Sequence, residues 1–122
     1  IVFREKKIKL VEKSPKKVNF LQDAINELKL TNVAVSLNLV DKEIIDSDCI
    51  TARAFKSIFE IIDYTRKYFL GGGEYLLYKG KMETASQEIS EANKKFKIKY
   101  QFYKIADKIE NKERHLVKIG KL

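Results

Sequence analysis

The chain has 122 residues, 44% of them hydrophobic, enough for a single domain over residues 1–122 with one core, which excludes a disordered tail. Lys and Arg number 25 against 17 Asp and Glu, a net charge of +8 that favours a polyanionic partner over an acidic protein or a neutral metabolite. A lone cysteine, Cys49, excludes an internal disulfide and fits a reducing, cytoplasmic setting, and no apolar run nears the ~20 residues that span a bilayer, so no membrane partner is expected.

Residues 7–12 read as a buried parallel strand that ends in an acid, Glu12. Ser14 suits a helix N-cap and Pro15 the first helical position. Val18, Leu21, Ala24, Ile25 and Leu28 then fall at helical spacing, which predicts one buried face. Asn32 marks the turn into a strand over residues 33–37, and residues 49–52 form another short strand. Phe55, Ile58, Phe59, Ile62, Tyr64 and Phe69 run down a single predicted helix that Gly71-Gly72-Gly73 stops. Residues 74–79 form a strand ending at Gly80, and residues 85–95 a weaker helix. Two strands close the chain, over 97–105 and 115–119, with a polar, hairpin-like stretch over 107–112 between them. In residues 94–100 lysines alternate with apolar side chains, which predicts lysines on one face and aromatics in the core. Tyr75, Tyr78, Phe102 and Tyr103 read as core residues or cross-strand pairs. Repeated strand–helix units imply an α/β fold with a mostly parallel sheet, and the final hairpin adds an antiparallel strand.

In doubly wound folds an acid at the end of the second strand grips a ribose, while a glycine-rich loop after the first strand cradles the rest of the cofactor. Glu12 fits the acid, but the sequence holds no strand and loop ahead of it, and residue 1 is Ile rather than Met. Both facts lead to the expectation of a processed or partial chain. Arg53 follows a short strand at its carboxyl end, where open α/β sheets bind ligands, and a guanidinium there can grip a carboxylate or phosphate; Glu60 or Asp63 could instead pair with it. Lys79 and Gly80 end the next strand, where a lysine could hold RNA phosphate and a glycine allows close approach. Arg114 could also reach RNA. His115, the sole histidine, reads as structural, and with no His or Cys partner at ligand spacing no metal site is expected. Lys13, Lys16 and Lys17 crowd a helix start against the dipole preference and read as solvent-facing.

The stretch Leu10-Val11-Glu12-Lys13-Ser14-Pro15-Lys16-Lys17-Val18-Asn19-Phe20-Leu21, followed by Glu27-Leu28-Lys29-Leu30-Thr31-Asn32-Val33, resembles the glucose-inhibited division protein B family. Thr51-Ala52-Arg53-Ala54-Phe55, Leu77-Tyr78-Lys79-Gly80 and Glu113-Arg114-His115-Leu116-Val117 agree with it in the same order. Members of that family are bacterial small-subunit ribosomal RNA methyltransferases that modify a guanine at N7. The resemblance implies the class I S-adenosylmethionine-dependent methyltransferase fold, S-adenosyl-L-methionine as cofactor, and 16S rRNA or the small ribosomal subunit as partner. It also puts cofactor contacts at Glu12, Val40, Asp41 (where the family usually has Glu) and Arg53, and it suggests Lys79, Gly80 and Arg114 for RNA.

Guanine N7 already carries a free lone pair, so methyl transfer is a direct displacement that needs alignment rather than a base, and no catalytic residue is expected. In this fold the first strand lies between the second and the fourth. Its absence would leave residues 7–12 and 49–52 with open edges, so a further N-terminal segment, or another chain, is expected to complete the sheet, and these 122 residues alone to be inactive. Two rivals remain at this point. One is a basic RNA- or ribosome-binding α/β module without catalysis. The other is a nicotinamide oxidoreductase, which the terminal hairpin disfavours.

Overall fold

A computed structural model of the chain describes residues 6–12, 14–36, 47–53, 56–105 and 113–122. The chain divides into two compact units, Ile1–Val40 and Asp41–Leu122. Lys13, Val40, Asp41, Phe55 and the expected hairpin turn over 107–112 lie outside the described residues.

The first unit is one strand–helix–strand step: β1 (Ile8–Val11), α1 (Pro15–Glu27) and β2 (Val33–Ser36). Ser14 adopts an extended backbone and its hydroxyl accepts the Lys17 amide at 3.4 Å, with Pro15 opening the helix. The helix ends as Lys29 turns left-handed (φ 54), and Leu30 N–H reaches back to Ile25 O at 3.0 Å. Ile25 and Val33 are buried between helix and strand pair. Leu28, expected on the buried face, is instead the C-cap and 66% exposed, because the helix has already ended there. β1 and β2 pair in parallel from Ile8 opposite Val33 to Val11 opposite Ser36. Glu12 N–H adds one rung by donating to Ser36 O at 3.0 Å.

The second unit holds β3 (Ile50–Arg53), α2 (Ile58–Tyr64), α3 (Arg66–Leu70), β4 (Tyr75–Lys79), α4 (Met82–Asn93), β5 (Ile98–Ile105) and β6 (Arg114–Lys121). Its sheet runs β3-β4-β6-β5, with β3 parallel to β4 and β6 antiparallel to both β4 and β5. Strand alternation puts Tyr75, Leu77, Val117, Ile119 and Ile98 on one face, and all five are buried. Ile58, Ile61 and Ile62 from α2, Phe69 from α3, and Ala85, Ile89 and Ala92 from α4 complete that core. Among the described residues, β1 and β3 each pair along one edge alone.

The helix expected from residue 55 to 69 is two. Thr65 leaves helical geometry (φ −117, ψ 36), and its hydroxyl is held by Ile61 O at 2.7 Å and by the Tyr75 hydroxyl at 2.5 Å. That buried pairing bends the chain so that Phe69 can stack near Tyr75 and Phe96. The glycine stop behaves as expected. Gly72 sits at φ +91, and a Cβ on Gly73 would lie 2.3 Å from the Tyr68 ring, whose hydroxyl bonds both backbone groups of Glu74. β5 corrects another expectation: Tyr100 stays 49% exposed because β5 is the outermost strand of its sheet, whereas Tyr103 lies opposite Leu116 of β6 as a cross-strand pair.

Lys79 points into the helix-covered face. Its ammonium meets Glu88 at 2.9 Å and donates to Lys56 O at 3.0 Å, and the two side chains are only 13% and 17% exposed. The Glu88 carboxylate also accepts the Ile58 amide at 3.0 Å, at the start of α2. The lysine expected to reach RNA is therefore a brace between β4, α2 and α4. Glu88→Ala leaves a mostly buried ammonium and a helix amide without their acceptor, and should cost about 2–4 kcal/mol in urea unfolding of the intact protein.

Burial pushes the Tyr75 hydroxyl from the ordinary tyrosine value near 10 up to about 12, against a smaller opposing effect of its bond to Thr65. The folded state then holds a proton that the unfolded chain releases between those values. The resulting stability is fully present below pH 10 and is lost as pH rises toward 12. Tyr75→Phe should flatten that alkaline decline, read as denaturation midpoints from pH 9 to about 12.

Candidate functional site

Parallel strands end together, so the carboxyl ends of β3 and β4 form one rim, the position at which open α/β sheets bind ligands. The register pairs Arg53, the last residue of β3, with Tyr78 of β4, and Tyr78 with Leu116 of β6. Arg114 lies two residues before Leu116 and so shares its face. The Arg53 guanidinium carbon lies 5.0 Å from the centroid of the Tyr78 ring, and that of Arg114 lies 5.9 Å from it. Arg114 Nη1 also donates to the Tyr78 hydroxyl at 2.9 Å. Two guanidinium groups thus gather on one aromatic ring at the sheet rim.

Arg53 is exposed, and the carboxylates that could have paired with it are engaged elsewhere: Glu60 faces Lys56 at 3.6 Å, and Asp63 holds Arg66. Behind the rim, His115 is buried, and its Nδ1 bonds Gly80 O at 2.8 Å. A carbonyl only accepts, so Nδ1 carries the proton there. The expectation of a structural histidine matches this geometry. A Cβ on Gly80 would meet nothing closer than Glu113 O at 3.8 Å, so the fold itself does not require glycine there.

In the first unit, Glu12 is half-buried just past the carboxyl end of β1, and Oε1 accepts the Ser14 amide at 3.2 Å. This contact orients the carboxylate at the strand end. Lys16 and Lys17 are exposed, as expected of solvent-facing lysines.

Toward the other end of β4, Cys49, Glu74, Leu76, Tyr103, Leu116 and Lys118 line a shallow, largely apolar groove of about 360 Å³. Burial, and then the Glu74 carboxylate, push the Cys49 thiol up, which disfavours a thiolate nucleophile. Among the described residues no group of three His, Cys, Asp or Glu could hold a metal ion, and no helix is long and apolar enough to cross a membrane. Sequence reasoning assigned Arg53 and Arg114 separate roles and treated Tyr78 as packing. The Thr-Ala-Arg, Leu-Tyr-Lys-Gly and Glu-Arg-His stretches held the residues, but only the strand register brings them together.

A family described as rRNA small subunit methyltransferase G matches residues 1–117. The chain is 38% identical over 123 residues to the Ribosomal RNA small subunit methyltransferase G of Brachyspira hyodysenteriae, covering 98% of this chain and 58% of that protein. It is 32% identical over 114 residues to the Ribosomal RNA small subunit methyltransferase G 1 of Bdellovibrio bacteriovorus, covering 90% and 53%. The chain therefore spans about half the length of the curated relatives it matches. Among solved structures it is similar to a SAM-dependent O-methyltransferase from Thermotoga maritima (12% identity, TM-score 0.63, 99% of this chain and 52% of that one). It is also similar to an rRNA methylase from Streptococcus thermophilus (13% identity, TM-score 0.60, 95% and 74%). These likenesses show the fold, that of the class I methyltransferases. By the match over residues 1–117 and the identity to these relatives, the chain belongs to the GidB family of rRNA small subunit methyltransferases G.

Proposed function

We propose that the protein transfers a methyl group from S-adenosyl-L-methionine to N7 of a guanine in 16S rRNA, in the cytoplasm, on the small ribosomal subunit or its free RNA. The family match across residues 1–117 carries this reading. When bound, S-adenosyl-L-methionine supplies a methyl group on a positively charged sulfonium. The chain's task is to hold and align, since N7 loses no proton on attack and water must be kept out.

The residue types suit that task. Glu12, oriented at the end of β1 by the Ser14 amide, offers a carboxylate for ribose hydroxyls. Val40 supplies an apolar wall and Asp41 an acceptor on the adenine side. Arg53 serves the cofactor at the β3 rim, and Arg114 with the Gly80 backbone serves RNA. Lys79 supports this rim from behind through Glu88.

We also propose that residues outside these 122, from the same protein or another chain, pair with the open edge of β1 and with that of β3, and that residues 1–122 belong to a single domain. Each of the two strands has an edge with no partner among the described residues, and open edges are costly and recruit pairing. On this reading the 122 residues alone are inactive.

The test gives the intact protein methyl-labelled S-adenosyl-L-methionine and unmodified small-subunit rRNA, then reads 7-methylguanosine in nuclease digests. Transfer is expected, and Glu12→Ala or Arg53→Ala should weaken cofactor binding about tenfold. RNA binding with neither cofactor binding nor transfer would instead favour a non-catalytic RNA-binding module.

A further inference from the structure

We propose that Glu113 and His115 are positioning residues that clamp the turn Gly80–Met82, between β4 and α4, so that its backbone meets the substrate RNA in one fixed shape. The inference rests on the reading of the protein as an rRNA methyltransferase, and it gives a role to the residues on either side of Arg114.

The turn leaves the carboxyl end of β4, where open α/β sheets bind ligands. α4 opens at Met82 after an N-cap, Lys81, whose side chain makes no capping hydrogen bond, so the first helical amides need acceptors from elsewhere. The Glu113 carboxylate, 31 residues on, supplies one: its Oε1 accepts the Met82 amide at 2.8 Å. A negative charge there also suits the start of a helix. His115, on the same side of the strand by alternation, is buried and donates from Nδ1 to Gly80 O at 2.8 Å. Both ends of the turn are thus fastened to the start of β6, and the Lys79–Glu88 pair at 2.9 Å ties the strand before it to α4. A turn fastened at both ends has little conformational freedom left to lose when RNA binds. Gly80 is exposed and outside the left-handed region, and among the described residues a Cβ there would meet nothing closer than Glu113 O at 3.8 Å. Neither backbone conformation nor packing among those residues asks for glycine, whereas close approach of an RNA backbone does.

The measurements are kcat and KM of the intact protein for protein-free small-subunit rRNA, its affinity for S-adenosyl-L-methionine, and its melting temperature. Glu113→Ala removes a surface acid and raises the net charge by one, which by charge alone strengthens RNA binding. The clamp predicts the opposite: KM for RNA should rise about tenfold, with the loss falling on KM rather than kcat and with cofactor affinity unchanged. Glu113→Gln keeps an acceptor for the Met82 amide and should recover most of that loss. His115→Leu should also raise KM, and His115→Asn, which keeps a donor near the Nδ1 position, should raise it less. Gly80→Ala should leave the melting temperature unchanged yet raise KM for RNA, and combining it with Glu113→Ala should cost less than the two effects added. A merely structural pair would lower the melting temperature and leave KM alone. That result, a lower KM in Glu113→Ala, or no recovery in Glu113→Gln overturns the proposal. If the unaltered protein transfers methyl while Glu113→Ala matches it in KM, this inference fails alone. If the unaltered protein neither transfers methyl nor binds RNA, the functional reading fails and takes this one with it.

Discussion

The register between β3 and β4 is the constraint on which the candidate site depends. It sets Arg53 directly beside Tyr78, and a slip of one residue would turn every β3 side chain to the opposite face. The antiparallel β6 adds the third member, because Tyr78 opposite Leu116 puts Arg114 on the same face and at the same end. None of the three is near another in sequence. Backbone pairing brings two positive charges onto one aromatic ring, and the ring and its hydroxyl hold them there.

The opposite face of the same strands does different work. Tyr75, Leu77 and Lys79 alternate with Leu76 and Tyr78, so the core and the rim are built from one five-residue strand. Lys79 and Glu88 join that strand to α2 and α4, and the His115 bond to Gly80 O ties the end of β4 to β6. A ligand site held on strands with packed backs keeps its geometry better than one held on free loops. Lys79 and its neighbour Tyr78, the register partner of Arg53, thus face opposite ways, one inward as a brace and one outward as a platform.

Much of the fold was legible because local chemistry decides it. Ser14-Pro15 followed by apolar residues at helical spacing has one good solution, and it is α1. The glycine triplet stops α3 as its conformational freedom and the Tyr68 contact require. What could not be read depended on partners distant in sequence. The break at Thr65 needs the Tyr75 hydroxyl ten residues on. The exposure of Tyr100 needs β5 to be outermost, which no alternation within the strand reveals. Lys79 looked available because its acceptor, Glu88, lies a turn and most of a helix away. For the site, the family motifs picked out Arg53 and Arg114, but the residue between them was taken for packing. The positions of Val40 and Asp41 rest on the resemblance, since both lie outside the described residues.

The most direct measurement is a crystal structure of the intact protein with S-adenosylhomocysteine and a guanine-containing fragment of small-subunit rRNA. The account expects the cofactor product beyond the carboxyl end of β3, with Arg53 and Arg114 both within about 6 Å of the Tyr78 ring centroid. Finding Arg53 and Arg114 on opposite faces of the sheet, or the cofactor product away from that strand end, would contradict it.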